Sequence, residues 1–441
     1  AASTECGEIL PDFQVGRLDS ESPVMKAFLM SSKNSSRLCK RTPLIACWLI
    51  LTLAIGVASA EDKPLDSGID PDGFDLTVRP QDDLFLYVNG RWLLNTEIPS
   101  DKSNYGSFTA LDDADREHIR EIIEASVKNP TDANSRKVGD FYGSFMNEEL
   151  IAEKGIKPLQ PLLDEINGLS TTEDVVRFFG RVNIIGIGSP IGFGVETDDK
   201  NSSRYLAAIA QGGTTLPDRD YYLEHSEKYA EARFALQKFI VELYQLAELP
   251  DGYSAAENIL QLETALAKAQ WSRTELRDAE KRYNLYEVTK LTDVSDRLPW
   301  LVFFKAVGAP DLKEVNVMTP SFFTALETII EETPVETWKQ YLQFRVLDAA
   351  ADYLPPAFVN AHFELHDRTI TGVPEQKPRW KRAVDATSGA GAGDFGVLGE
   401  ALGQLYVQKY FPAESRRRMD QLVANLMKTY ETSIHELSWM T

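Results

Sequence analysis

Apolar residues recur every three or four positions through most of the chain beyond residue 100. Residues 111–128, "LDDADREHIREIIEASVK", put Ile119, Ile122, Ile123 and Val127 at helical spacing. Asp112, Asp113 and Asp115 stand near the start of this segment, where the helix dipole favours anions. Residues 226–248 carry Tyr229, Phe234, Leu236, Phe239, Ile240, Leu243 and Leu246 on one face. The same period predicts helices over 254–282, 321–331, 334–349, 396–410 and 413–437. One stretch departs from it. "SPIGFGVETDDKNSSRYLAAIAQGG" predicts two short strands, about 190–197 and 203–210, around a polar turn at Asp198–Ser202. No repeat of solenoid period is present. The pattern is that of a mainly α chain with one small β-hairpin.

The first sixty residues have a different pattern. From Met25, a basic stretch with Lys26, Lys33, Arg37, Lys40 and Arg41 leads into the apolar run Leu44–Val57, which ends in "ASA" at 58–60. This is the order of a secretory signal peptide cleaved after Ala60. The run is shorter than the roughly 20 residues a spanning helix needs, which favours cleavage over an uncleaved membrane anchor, the alternative. Residues 1–24 precede the candidate start methionine and are read as an untranslated leader. The expectation is an exported chain beginning at Glu61, in the periplasm, the cell envelope or the extracellular space. Cys6, Cys39 and Cys47 are the only cysteines. A chain starting at Glu61 therefore has no disulfides, and its core alone must hold it, which fits a bacterial envelope or secreted protein.

Composition narrows the partners. The chain has 441 residues, 43% of them hydrophobic and 26% charged, and a formal net charge of −21. Residues 1–60 carry five acidic and six basic side chains, so the acidity belongs to residues 61–441. A strongly negative surface repels polyphosphates and anionic lipids, which argues against nucleic acid and anionic membranes as partners.

Several segments are rich in aromatics and turn residues: "YVNGRWL" (87–93), "LPDRDYYL" (216–223), "QWSRTELRDAEKRYN" (270–284), "EQKPRWKR" (375–382) and "LGEALGQLYV" (398–407). Singly, each is explained by packing: Trp92, Trp271 and Trp380 as buried or interhelical aromatics, Arg277 and Asp278 as structural pairs on a helix. In this order, from about Asp82 to Met440, they resemble the neprilysin-like zinc metallopeptidases, including the bacterial oligopeptidase O type. The resemblance implies a large helical cap domain facing a thermolysin-like catalytic domain across an enclosed cavity, with access limited to small peptides. It places residues 61–100 against the catalytic domain, the cap at 101–373, and a linker with the first catalytic segments at 374–441. The family's zinc is held by an H-E-x-x-H helix and a downstream E-x-x-x-D glutamate, and a later histidine helps stabilise the oxyanion.

"HFELH" at 362–366 comes close to that motif and misses it. Histidines at i and i+4 share a helix face, and the glutamate must stand directly after the first histidine to reach metal-bound water. Glu364 stands two positions on, about 200° around the helix from His362, and so points away. Two histidines do not complete a catalytic zinc site, which needs three protein ligands. The expectation here is a packed or solvated pair. "HEL" at 435–437 also begins like the motif, but the residue four after His435 is Trp439. The 441 residues contain no H-E-x-x-H. The chain therefore reads as the N-terminal region of a zinc metalloendopeptidase, cut before its metal site, without catalytic or metal-binding residues of its own and binding no zinc. In the intact enzyme the partners are peptide substrates and the missing catalytic part. The alternative is a non-catalytic helical module that binds peptides or a partner.

One departure from the family bears on specificity. The resemblance puts an arginine before "YG" to grip a substrate's C-terminal carboxylate, with an aspartate three residues past it. Here these positions hold Asn104 and Thr109. Lys102 lies nearby, but a flexible point charge replaces a bidentate guanidinium poorly. Both changes favour internal cleavage in the intact enzyme.

Overall fold

The computed structural model of the chain describes residues 69–389 and 396–439. The expected signal segment, with its cleavage after Ala60, lies outside the described residues. The chain divides into a short unit ending at Val88 and a large one from Asn89 onward. In the short unit, Asp70 caps a single turn at Pro71–Gly73, and Phe74 meets Tyr87 edge to face with ring centres 5.3 Å apart. The helix Leu84–Asn95 spans the division.

The large unit is built mainly of helices, at the expected places. Ser107–Lys128, Glu227–Leu246, Pro320–Glu332, Val335–Ala350, Gly399–Tyr410 and Ala413–Glu436 match the apolar periodicity. The hairpin forms from β1 (Ile191–Asp198) and β2 (Asn201–Gln211), paired antiparallel. Its turn is fixed by Asp198, whose carboxylate accepts from the Lys200 amide at 2.8 Å and from Arg204 Nε at 2.7 Å. Two further strands join it: β3 (Leu285–Glu287) and β4 (Glu314–Val317) complete a four-stranded sheet in the order β1-β2-β4-β3. β4 runs parallel to β2 and antiparallel to β3.

One expected helix is shorter than its apolar pattern. Gly252–Ala269 stops well before residue 282, so Trp271, Arg277 and Asp278 lie beyond it, with Arg277 in a short turn at Glu275–Arg277. The cause is tertiary. Gln211, at the end of β2, takes both backbone groups of Trp271: the Trp271 amide donates to Oε1 at 2.8 Å, and Nε2 donates to the Trp271 carbonyl at 3.0 Å. Gln270 donates to the Gly212 carbonyl at 3.0 Å. Ser272 and Glu275 then cap each other and open a new turn.

Two apolar cores lie within the large unit. The larger, with Phe179, Phe303, Phe322, Trp338, Tyr341 and Phe344, packs the central helices onto the sheet. The smaller gathers Ile122, Ile123, Val138, Tyr142 and Phe145 with Ala383, Val384 and Leu402. It joins Ser107–Lys128 and Ala133–Met146 to Arg379–Ser388 and Gly399–Tyr410, so its helices come from both sides of residue 373.

Candidate functional site

The two histidines of "HFELH" are not alone. The helix Val335–Ala350 ends near Asp348, and a turn at Ala351–Tyr353 and the pair Pro355–Pro356 redirect the chain into the helix Pro356–Phe363. Proline at a first helical position costs no hydrogen bond and presets the backbone there. The chain then widens into a π-helical turn, Glu364–Thr369. Such turns insert an extra residue per turn and recur at functional sites. Here His366 Nε2 lies 2.9 Å from Asp348 Oδ1, and His362 Nε2 lies 3.9 Å from the same oxygen. The imidazoles stand 4.2 Å apart, tilted by 33°. Phe239 meets both edge to face, at 6.3 and 5.7 Å. Arg345 Nη1 is 4.0 Å from the other Asp348 oxygen.

This arrangement sets the charges apart. Burial opposes ionisation of Asp348, but the hydrogen bond and charge of His366, then the charges of Arg345 and His362, bring its pKa below the usual carboxylate value. Burial also disfavours a charged His366, yet Asp348 outweighs it and raises that pKa. For His362, burial and then the charge of His366 act together and lower it. One imidazole is thus held toward the proton-bearing form and its neighbour toward the neutral, ligating form.

The cluster lines a cavity of about 880 Å³ whose wall carries six carboxylates, Asp348 among them, and three cationic side chains. Behind it runs a buried polar chain. Arg345 Nη1 donates to Thr215 Oγ1 at 2.9 Å, and Thr215 donates through its hydroxyl to Glu263 at 2.7 Å. Glu263 also accepts from the Tyr222 hydroxyl at 2.5 Å.

The remaining sequence candidates fall elsewhere. Glu364 turns outward, as its spacing predicts, and pairs with Arg368 at 2.5 Å. Asn104 is exposed in the loop before Ser107–Lys128, with Nδ2 3.5 Å from Ser103 Oγ, and Thr109 is half-buried in the first turn of that helix. Neither lines the cavity. Lys102 is held by Asp113 at 2.8 Å. His435 and Glu436 end the helix Ala413–Glu436, and Trp439 is exposed beyond it. The "EQKPRWKR" segment has a structural role. Arg379 donates to the Phe145 carbonyl at 2.9 Å, Lys381 pairs with Asp101 at 2.6 Å, and Arg120 stacks 4.2 Å above Trp380. Sequence reasoning missed Asp348. It lies fourteen positions before His362 on a different helix, and no local spacing marks it.

A mainly helical chain with one small sheet is the fold class the sequence predicted. The family model described as peptidase family M13 matches residues 80–441, and the chain belongs to that family. Among curated relatives, endothelin-converting enzyme-like 1 of Rattus norvegicus is 27% identical over 382 residues, covering 83% of this chain and 48% of the relative. Neprilysin-3 of Drosophila melanogaster is 26% identical over 390 residues, with the same coverage. The chain thus spans about half the length of the curated relatives it matches. Among solved structures, the Mycobacterium tuberculosis zinc metalloprotease Zmp1 in complex with inhibitor is similar with a TM-score of 0.76 and 35% identity, over 86% of this chain and 57% of that one. PepO from Lactobacillus rhamnosis shares the fold at a TM-score of 0.67 and 18% identity, over 82% and 57%.

Proposed function

We propose that these residues form the cap-bearing N-terminal region of an exported zinc metalloendopeptidase that cleaves small peptides. The observation that carries this reading is the similarity to a solved zinc metalloprotease at 35% identity across 86% of the chain. The 441 residues contain no H-E-x-x-H. The catalytic zinc and its general-base glutamate then belong to a part of the protein outside these residues. There, metal-bound water would attack the peptide carbonyl with a glutamate as base. The cap, drawn at 101–373, would restrict entry to small peptides. Two observations support an internal cleavage preference: Asn104 stands where the family has a carboxylate-gripping arginine, and Lys102 is already paired with Asp113. Export rests on the segment from Met25 to Ala60. No helix among the described residues is long and apolar enough to cross a membrane.

The test is the reading frame beyond codon 441, and then expression of whatever it encodes. A frame that continues into H-E-x-x-H, and a product that cleaves quenched-fluorescent peptides internally until a chelator is added, support the proposal. A stop at that point, or a full-length product inert toward peptides, would replace it with the non-catalytic binding module.

A further inference from the structure

We propose that Asp348, His362 and His366 form a divalent-cation site of the zinc type. One ligand atom from each of the three lies within 4.8 Å of the other two. In a tetrahedral site with nitrogen and oxygen ligands about 2.0–2.1 Å from the ion, neighbouring ligand atoms stand roughly 3.3 Å apart. The two measured separations, 2.9 Å to His366 and 3.9 Å to His362, bracket that value. An ion would replace the proton between Asp348 and His366 and draw His362 inward by a few tenths of an ångström. The imidazoles would also have to swing out of their near-stacked arrangement.

The donor set selects the metal class. Two imidazoles and one carboxylate suit zinc, cobalt, nickel or copper, whereas calcium and magnesium prefer all-oxygen shells. Three protein ligands leave a fourth position for water, and the cluster faces a cavity that can supply it. The surroundings both favour and oppose a cation. Asp352 and Asp367 line the same cavity, where six carboxylates face three cationic groups. Against this, the Arg345 guanidinium lies 4.0 Å from Asp348 Oδ2. It sits beside the oxygen that the histidines do not use and is bonded to Thr215, so it leaves Oδ1 for the ion. The site would fasten the end of Val335–Ala350 to the π-helical turn after Pro356–Phe363.

The experiment uses the purified chain, stripped with chelator and titrated with zinc by calorimetry, then with cobalt to read ligand-field absorption. The expected result is one zinc per chain, and a four-coordinate cobalt spectrum. Binding should weaken by more than about tenfold in both His362→Gln and His366→Gln, since even outer-shell changes at metal sites cost that much. His225→Gln and His435→Gln should bind as the parent does. Zinc should raise the melting temperature of the parent and not that of His366→Gln. Circular dichroism separates loss of binding from loss of fold, and the two glutamine variants can be read independently if one of them misfolds. No zinc bound by the folded parent, or zinc bound unchanged in both folded glutamine variants, would overturn the proposal.

Discussion

Glu263 is fully enclosed, and its carboxylate is the acceptor for Tyr222 and for both the amide and the hydroxyl of Thr215. Burial raises its pKa above the ordinary value of 4.5, and the nearby Arg345 charge and these hydrogen bonds offset that only in part. The folded chain therefore holds this proton to higher pH than the unfolded chain does. The resulting stability is fully present below pH 4.5 and is lost as pH rises through the folded-state value. Glu263→Gln removes the titration while keeping an oxygen for Tyr222 and the Thr215 amide. Urea midpoints measured across pH should fall less steeply for this variant than for the parent. An unchanged slope would mean that the pH dependence arises elsewhere. Glu263→Ala should cost about 3 kcal/mol, because it leaves the buried Tyr222 and Thr215 donors without their acceptor.

At the scale of elements, what could be read from the sequence obeys a physical division. Helices with a clear 3.6-residue period, such as Ser107–Lys128 and Pro320–Glu332, were legible because the apolar stripe that drives their burial is written locally. The β1–β2 hairpin was legible from its alternation and its polar turn. β3 and β4 were not, since three and four residues carry no period and their pairing is set by residues far along the chain. The end of Gly252–Ala269 was missed for the same reason: its apolar pattern continues, but Gln211 captures Trp271 from sixty residues away. At the candidate site, the histidine pair and the outward glutamate were visible in five residues, while Asp348 was brought in by tertiary packing alone. The Gln211 capture can be checked directly. Gln211→Ala removes two hydrogen bonds to a half-buried backbone and should cost about 1–3 kcal/mol. Hydrogen exchange should quicken at 270–272 while the middle of Gly252–Ala269 stays protected. Unchanged exchange at Trp271 would show that the helix ends there for another reason.

For the molecule as a whole, the contrast lies between helices that share a core and one that does not. In Gly399–Tyr410, Leu402 is buried in the smaller core, and Leu405 and Tyr406 pack half-buried against it. The Arg116–Asp385 ion pair at 2.7 Å and the Tyr406 bond to Asp115 at 3.0 Å add polar ties around the same core. Ala413–Glu436 has no buried residue along its length. Its apolar positions Met419, Leu422, Leu426, Tyr430 and Ile434 recur at helical spacing, and each is about half exposed or more. Fully burying one such side chain contributes roughly 1.5–3 kcal/mol, so a stripe of five left in water forgoes an amount comparable to the net stability of a whole domain. Most helical stability in proteins comes from packing an amphipathic face, and this helix packs none of its own. Hydrogen exchange on the chain alone should therefore find 413–436 the least protected of the long helices, and 227–246 and 252–269 among the most protected. Sedimentation should show self-association that rises with concentration. The double substitution Leu422→Glu and Leu426→Glu should abolish that association without lowering the urea midpoint of the cores. Exchange at 413–436 as slow as at 227–246 in a sample that stays monomeric would show that the stripe is covered within one chain.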